Sequence, residues 1–317
     1  MTDTDILGRG GRAGGGRFVR QDSRFRDRIT VDGSSAFPAE EGRYHLYVSL
    51  ACPWAHRAVI VRRLKGLEHV IGMSIVDPIR DERGWAFRDV AGTTGDQVNG
   101  WDYLSEAYEA GEPGFDGRIT VPVLWDMETE RIVNNESADV VVMLNESFDA
   151  FAAHPERDYY PLALREEMDP LNQRVYETLN DGVYRSGFAS SQEAYEEAVF
   201  PLFETLDMLD ERLAVQRYLL GAEQTLADWR LFTTLLRFDP VYYSHFKCNL
   251  RRIVDYPNLA PYLRDLYQTP GVAETVDMDQ IKRHYYTTHR GINPTGIVPA
   301  GPVIDLAAPH DRARLAA

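Results

Sequence analysis

The sequence has few cysteines and lacks long apolar runs. Cys52 and Cys248 are the only cysteines among 317 residues, too few for a disulfide framework, which favours a reducing compartment. No segment approaches the roughly 18 consecutive apolar residues that a membrane-spanning helix needs. The first residues carry no apolar stretch of signal-peptide type. We therefore expect a cytoplasmic protein with no membrane partner.

Positive charge is also scarce. The chain holds 34 Lys and Arg against 49 Asp and Glu, a net charge of −15. A surface of this sign repels phosphate backbones, which argues against a nucleic-acid partner. Hydrophobic residues make up 44% and charged residues 26%, so the composition is that of a globular protein that can bury a full core.

The length and the changing pattern predict two domains between two terminal segments. Residues 1–30 are rich in Gly and Arg, which predicts a flexible segment that becomes ordered near Phe18 to Ile29; an RNA-binding arm is the competing interpretation. Strand and helix patterns alternate in residues 31–150. Helical periods dominate residues 160–302, and residues 303–317 form a tail. We expect an α/β domain followed by an all-helical domain.

The patterns of the first domain follow a definite order. Alternation over residues 44–49 predicts a strand, a helical run ends at Gly66, and residues 70–76 predict a second strand. Residues 77–118 lack a sustained period and form a long insertion. Two further strands and a helix are predicted over residues 121–126, 131–134 and 137–148. This order of β-α-β, insertion and β-β-α is the thioredoxin-like arrangement.

The second domain shows helical periods only. The candidate helices cover residues 164–183, 192–212, 226–238 and 259–266. Thr225 is followed three residues later by Asp228, which is the spacing of a capping box with Asp in place of Glu. We therefore expect a helix to begin directly after Thr225.

Cys52 is the candidate reactive group. It lies directly after a predicted strand and at the start of a predicted helix, where Pro53 suits the first turn. Free N–H groups and the helix dipole there favour a thiolate, and such cysteines have pKa values of roughly 3.5–7.5 instead of about 8.5. Ala55 stands where Cys-x-x-Cys has its second thiol, so we expect a mixed disulfide that a small thiol resolves. The alternative is a buried, inert cysteine, which is our interpretation of Cys248.

Two further segments fit a ligand site of the same fold. Val121-Pro122 precedes a strand, and in thioredoxin-like folds a cis proline there exposes the preceding backbone to a peptide-like ligand. Glu136-Ser137 opens a helix whose N–H groups can receive a carboxylate; an ordinary N-cap is the alternative. Three aromatic residues, which packing alone would also explain, stand in the insertion or at polar turns: Trp85, Tyr184 and Tyr285.

Five motifs together resemble one family. They are LACPWAHR at residues 50–57, GW at 84–85, VPVLWD at 121–126, VNNES at 133–137 and INPTG at 292–296. On these motifs the sequence resembles the glutathionyl-hydroquinone reductases, the Xi class of glutathione transferases. The resemblance implies a thioredoxin-like domain followed by a helical domain of glutathione-transferase type, and a homodimer. It also implies reduction of glutathionyl-hydroquinones to hydroquinones, with glutathione as co-substrate and no bound cofactor or metal.

The resemblance assigns roles to individual residues. Cys52 is the nucleophile. Glutathione is held by Trp85, Arg118, Val121, Glu136 and Ser137. Tyr184 and Tyr285 are the further catalytic residues that line the aromatic pocket, with Tyr286 as the alternative to Tyr285. Their hydroxyls would steady the keto tautomer from which the aromatic carbon departs.

Three other functions compete with this one. The same reaction can use a different low-molecular-weight thiol. A conventional glutathione transferase conjugates glutathione instead of removing it, and cysteine in place of serine or tyrosine at residue 52 argues against that. A non-catalytic binding protein on the same fold would need no cysteine at a helix start, and its thiol would titrate near about 8.5.

Overall fold

The computed structural model describes residues 14–315, which divide between two units. Within that range the first unit contains Gln21–Asp158 and Glu274–Ile297, and the second contains residues 14–20, Tyr159–Ala273 and residues 298–315. The expectation for residues 1–13 lies outside the described part of the chain. Among residues 14–315, no helix is both long and apolar enough to span a membrane.

Short strands occur in the first unit, and helices occur in both units. The strands are β1 (Ile29–Thr30), β2 (Phe37–Pro38), β3 (Tyr44–Val48), β4 (Ile71–Ile75), β5 (Val123–Asp126) and β6 (Arg131–Asn134). The helices are α1 (Pro53–Leu64), α2 (Ser105–Gly111), α3 (Ser137–Glu146), α4 (Arg165–Val175), α5 (Gly182–Gly187), α6 (Gln192–Leu213), α7 (Leu226–Arg237), α8 (Tyr243–His245), α9 (Leu259–Tyr267) and α10 (Met278–Thr288).

A four-stranded sheet in the order β4-β3-β5-β6 forms the centre of the first unit. β3 runs parallel to β4 and antiparallel to β5, and β5 runs antiparallel to β6. Every residue of β3 is buried, as expected for an internal strand. Helices α1 and α3 contact each other. The predicted thioredoxin-like arrangement is therefore confirmed.

The insertion is an ordered part of the first unit. It contains α2, which the residue pattern does not predict because the helix has only seven residues and ends in Gly111. Tyr108 of α2 is completely buried. Its hydroxyl donates to the carbonyl of Thr120 at 2.9 Å and accepts from the Asn135 side chain at 3.1 Å. These bonds fix the insertion next to the segment that leads into β5.

The unit boundaries differ from the predicted ones at three places. Residues 274–297, predicted as part of the helical domain, cluster with the first unit. The predicted tail is held in the second unit, where Arg312 is buried and donates to the carbonyls of Leu213, Gln216 and Arg217. At the other end residues 14–20 cluster with the second unit and residues 21–30 with the first, while Phe18 and Ile29 are buried, in keeping with the order expected near those two residues. Helical or glycine-rich composition does not indicate which surface a segment packs on.

The second unit contains helices and turns but no paired strand within the described residues. The predicted helix over 164–183 is interrupted, because a wider π-type turn over Tyr176–Asn180 separates α4 from α5. The predicted capping box is confirmed: the Thr225 side chain and the Asp228 side chain each bond the other's backbone at the start of α7.

A buried ion pair at the end of β5 gives a pH-dependent stability. Arg43 donates to both oxygens of Asp126 at 2.8 and 2.7 Å, and Thr129 donates at 2.6 Å. Burial alone would raise the pKa of Asp126, but these donors hold that pKa below its ordinary 3.8. The pair therefore stabilises the fold above the unfolded-state pKa, and this contribution is lost as the pH falls through the folded-state pKa.

We expect Asp126→Asn to lower the free energy of unfolding by about 2 kcal/mol at pH 7, because it removes the buried carboxylate that accepts two hydrogen bonds from the half-buried Arg43, which then keeps only its exposed partners such as Glu128 at 2.7 Å. Urea unfolding of the wild type and the variant from pH 7 down to pH 3 measures the difference. The gap between the two midpoints should narrow below about pH 4, where the wild-type carboxylate begins to lose its advantage. A gap that is constant over this range would contradict the assignment.

Candidate active site

Cys52 is the N-cap residue of α1. Its backbone is extended (φ −79°, ψ 123°), and Pro53 occupies the first helical turn. The side chain is half-buried, and the Sγ atom donates to the carbonyl of Val121 at 3.6 Å. The thiol therefore has the backbone setting that the sequence predicted: directly after β3, at the positive end of a 12-residue helix.

The peptide bond between Val121 and Pro122 is cis. Val121 is buried, and its carbonyl is the group that contacts Cys52 Sγ. The structure thus brings the Val121 backbone to the candidate nucleophile, as expected for this loop. Arg118 lies three residues earlier in the same segment and is half-buried.

Glu136 is the N-cap residue of α3. One of its carboxylate oxygens accepts from the backbone N–H of Ala138 at 3.0 Å, and the other accepts from the Ser23 hydroxyl at 2.9 Å. Ser137 is buried at the first helical position, and its hydroxyl lies 3.5 Å from a guanidinium nitrogen of the buried Arg57. The cap function and a ligand-binding function are compatible at this position, because the helix N-terminus and Arg57 supply positive potential next to both side chains.

Trp85 and Tyr285 lie in the first unit and share one neighbour. Trp85 is buried and its ring stacks on His284 at 5.1 Å between ring centroids. His284 also lies 5.2 Å from the ring of Tyr285, and its Nδ1 is 2.6 Å from the carbonyl of Pro78. Tyr285 and Tyr286 are both buried, so burial does not separate these two candidates.

Tyr184 belongs to α5 in the second unit. Its ring contacts Phe246 and Tyr242, with centroid distances of 5.4 and 6.1 Å. The guanidinium carbon of Arg20 lies 4.7 Å from the ring centroid, and Arg20 pairs with Asp181 at 2.5 Å. Seven of the predicted site residues therefore lie in the first unit and Tyr184 lies in the second.

Three residues near these positions were not singled out from the sequence: Ser23, His284 and Arg20. Each contacts a predicted site residue from a segment remote in sequence, through Glu136, Trp85 and Tyr184 respectively. For Ser23 and Arg20 the Gly/Arg-rich composition around them concealed the contact. His284 precedes the tyrosine pair directly, and that adjacency was the only available signal.

Cys248 has none of the features of Cys52. It is completely buried, and burial raises the pKa of its thiol to about 12. A thiol with that pKa is un-ionised at neutral pH and is a poor nucleophile. Within residues 14–315 no group of three or more His, Cys, Asp or Glu side chains is arranged to hold a metal ion.

A thioredoxin-like unit with a cysteine at the N-terminus of its first long helix, and a helical unit in the same chain, define a protein of the glutathione transferase class. Residues 51–147 match the glutathione S-transferase N-terminal domain family, and residues 192–265 match the corresponding C-terminal domain family. The predicted fold class is therefore confirmed.

Comparison with individual proteins narrows the class. Glutathionyl-hydroquinone reductase YqjG of Escherichia coli is 52% identical over 305 residues, covering 94% of this chain and 93% of its own. Glutathionyl-hydroquinone reductase PcpF of Sphingobium chlorophenolicum is 52% identical over 291 residues, covering 92% and 91%. A Xi class structure from Natrialba magadii superposes with a TM-score of 0.92 at 52% identity, covering 94% of this chain and 93% of that one. The chain belongs to the glutathionyl-hydroquinone reductases, the Xi class of glutathione transferases.

Glutathione complexes exist for similar proteins, YqjG of Escherichia coli and ECM4 of Saccharomyces cerevisiae among them. The glutathione-bound structure of YqjG from Escherichia coli matches with a TM-score of 0.89 at 52% identity, covering 92% of this chain and 96% of that one. Glutathione therefore binds at least one protein of this fold and this degree of similarity.

Proposed function

We propose that this protein is a glutathionyl-hydroquinone reductase in which Cys52 is the nucleophile. The observation that carries the proposal is the half-buried thiol of Cys52 at the N-terminus of α1, in contact with the backbone of Val121. The 52% identity to two glutathionyl-hydroquinone reductases over more than nine-tenths of the chain supports the choice of reaction.

The reaction has two thiol-exchange steps. The Cys52 thiolate attacks the glutathione sulfur of the conjugate, in the keto tautomer of its ring. In that tautomer the ring carbon already carries the proton. A Cys52–glutathione disulfide forms as the carbon–sulfur bond breaks, and the electron pair of that bond moves through the ring to the carbonyl oxygen, which takes up a proton to give the hydroquinone. A second glutathione, as thiolate, then attacks the glutathione sulfur of that disulfide. Oxidised glutathione leaves and the Cys52 thiolate is regenerated, so the conjugate is reduced and two glutathione units are oxidised to one disulfide.

The remaining residues bind and orient the two substrates. The glutathione moiety is held by Trp85, Arg118, Val121, Glu136 and Ser137. The N-terminus of α3 suits the γ-glutamyl end, because free N–H groups and Arg57 favour a carboxylate there. Tyr184 and Tyr285 donate hydroxyl protons to the ring oxygens as the carbon departs. No bound cofactor or metal takes part in these steps, and we place the enzyme in the cytoplasm as a homodimer.

The direction of the reaction tests the proposal. Incubating wild-type protein with glutathionyl-menadione and glutathione should release menadiol and oxidised glutathione in equal amounts, measured by liquid chromatography. Conjugation of chlorodinitrobenzene with no menadiol release would indicate a conventional transferase. Release of menadiol with another low-molecular-weight thiol, but not with glutathione, would show that this other thiol is the reductant. If no thiol supports the release of menadiol, the protein would be a non-catalytic binding protein on the same fold.

A further inference from the structure

Arg80 has an unusual environment in the insertion. It is half-buried, and its guanidinium carbon lies 5.1 Å from the ring centroid of Trp85. Trp85 is one of the residues proposed to hold glutathione, and its ring also stacks on His284. Burial lowers the pKa of Arg80, and the negative charges of Cys52 and Asp81 oppose that shift only in part. The geometric link between Arg80 and the proposed glutathione site is therefore its contact with the Trp85 ring.

The Nε atom of Arg80 has no hydrogen-bond acceptor in the part of the chain that the structure describes, and no ion pair is seen there for its guanidinium. Its Nε atom is shielded from solvent and makes no hydrogen bond there. Two other arginines of the insertion are paired: Arg88 with Asp77 and Asp81 at 3.1 and 2.5 Å, and Arg83 with Asp81 at 3.8 Å. A partly buried guanidinium without an acceptor is unfavourable. A bound anion that supplies the acceptor removes this cost.

We propose that Arg80 binds a carboxylate of the thiol co-substrate, namely the glycine carboxylate of glutathione. The inference rests on the proposed function, which assigns the γ-glutamyl end to the N-terminus of α3 and the sulfur to Cys52. In glutathione the cysteinyl sulfur lies between those two ends, so the glycine carboxylate extends away from α3. A guanidinium fork pairs with a carboxylate through two parallel hydrogen bonds, and Trp85 provides the surface against which Arg80 is oriented.

The test compares two donors that differ only at that carboxylate. Glutathione and its glycine monoethyl ester are used with glutathionyl-menadione, with wild-type protein, Arg80→Met and Arg80→Lys. For wild type we expect the KM for the ester to exceed the KM for glutathione by about 10- to 30-fold, the usual effect of a hydrogen-bonded charge. Arg80→Met should raise the KM for glutathione to the same degree and leave the KM for the ester unchanged. The KM of Arg80→Lys for glutathione should lie between the wild-type value and the Arg80→Met value.

Other results would overturn the assignment. Equal effects of Arg80→Met on both donors, or none on either, would show that Arg80 does not bind the glycine carboxylate. A shift in the pH profile of Cys52 alkylation by iodoacetamide, with donor discrimination unchanged, would assign Arg80 to the thiolate instead. Arg83→Met is the matched control: it removes an arginine of the same insertion that is already paired with Asp81, and both KM values should stay at the wild-type level.

A binding measurement separates this inference from the proposed reaction. Calorimetric titration of Cys52→Ser with glutathione needs no turnover, and adding Arg80→Met should weaken binding by about 10- to 30-fold. If wild type releases no menadiol but this difference is present, the reaction is wrong and the Arg80 assignment stands. If turnover is present and the difference is absent, or if Cys52→Ser binds no glutathione, the assignment is wrong. Thermal melting of each variant verifies that it is folded.

Discussion

Replacing Cys52 with serine should reduce the release of menadiol by at least about 1,000-fold. Serine keeps the size of the side chain and a donor for the Val121 carbonyl, so the local structure should persist. Its hydroxyl remains protonated at neutral pH, and a neutral hydroxyl cannot form the disulfide on which both steps depend. Losses of this size are typical when the nucleophile of covalent catalysis is removed. The measurement is kcat with glutathionyl-menadione and saturating glutathione.

Cys248→Ala is the matched control for the loss of a thiol. Because burial raises the pKa of Cys248 to about 12, its thiolate is absent at neutral pH and the variant should keep its kcat. Intact-protein mass spectrometry after reaction with glutathionyl-menadione in the absence of free glutathione should show one added glutathione on wild type and on Cys248→Ala, and none on Cys52→Ser. Turnover by Cys52→Ser within tenfold of wild type would exclude Cys52 as the nucleophile.

The setting of Cys52 was predictable because its signals are local. The strand before it alternates in period two, and the helix after it begins with proline and ends near Gly66. Each of these signals depends on a few consecutive residues, so a single sequence reveals it. The same holds for the capping box at Thr225 and Asp228, in which both partners lie within one helical turn. The motifs that indicate the family are equally local.

The contacts that were not predicted join segments remote in sequence. Ser23 and Glu136 are 113 residues apart, and Pro78 and His284 are 206 apart. No period or spacing in the chain encodes which of many polar side chains will meet across such distances. The same limit explains why α10 was assigned to the helical domain: its amphipathic pattern indicates that one face is buried but not which unit buries it.

Irregular helices escaped prediction for a different reason. The π-type turn over Tyr176–Asn180 leaves a helical period on both sides, so the pattern over 164–183 resembles one continuous helix. The wider turn changes the direction of the face that follows, and that face carries Tyr184. A helical wheel drawn through the turn therefore gives the wrong orientation for this residue.

Asp228→Ala should destabilise the protein more than any other single change discussed for the second unit. Asp228 is completely buried. One carboxylate oxygen accepts from the Leu219 N–H at 2.9 Å and the Tyr262 hydroxyl at 2.7 Å, and the other accepts from the N–H and hydroxyl of Thr225 at 2.8 and 2.9 Å. Burial raises the pKa of Asp228, and the four hydrogen-bond donors oppose that shift by stabilising the buried carboxylate. Alanine leaves all four without an acceptor.

We expect a loss of about 4 kcal/mol in the free energy of unfolding, since removing one partner of a buried charged network costs roughly 3–5 kcal/mol. Urea unfolding followed by circular dichroism measures it. Ser191→Ala is the matched control in the same unit: Ser191 is the half-buried N-cap of α6, accepts from Ala194 N–H at 3.2 Å, and should cost about 1 kcal/mol as an ordinary cap. Equal losses in the two variants would mean that the capping box contributes only as a cap. A larger loss for Asp228→Ala would identify it as the link between the start of α7, the preceding loop and α9.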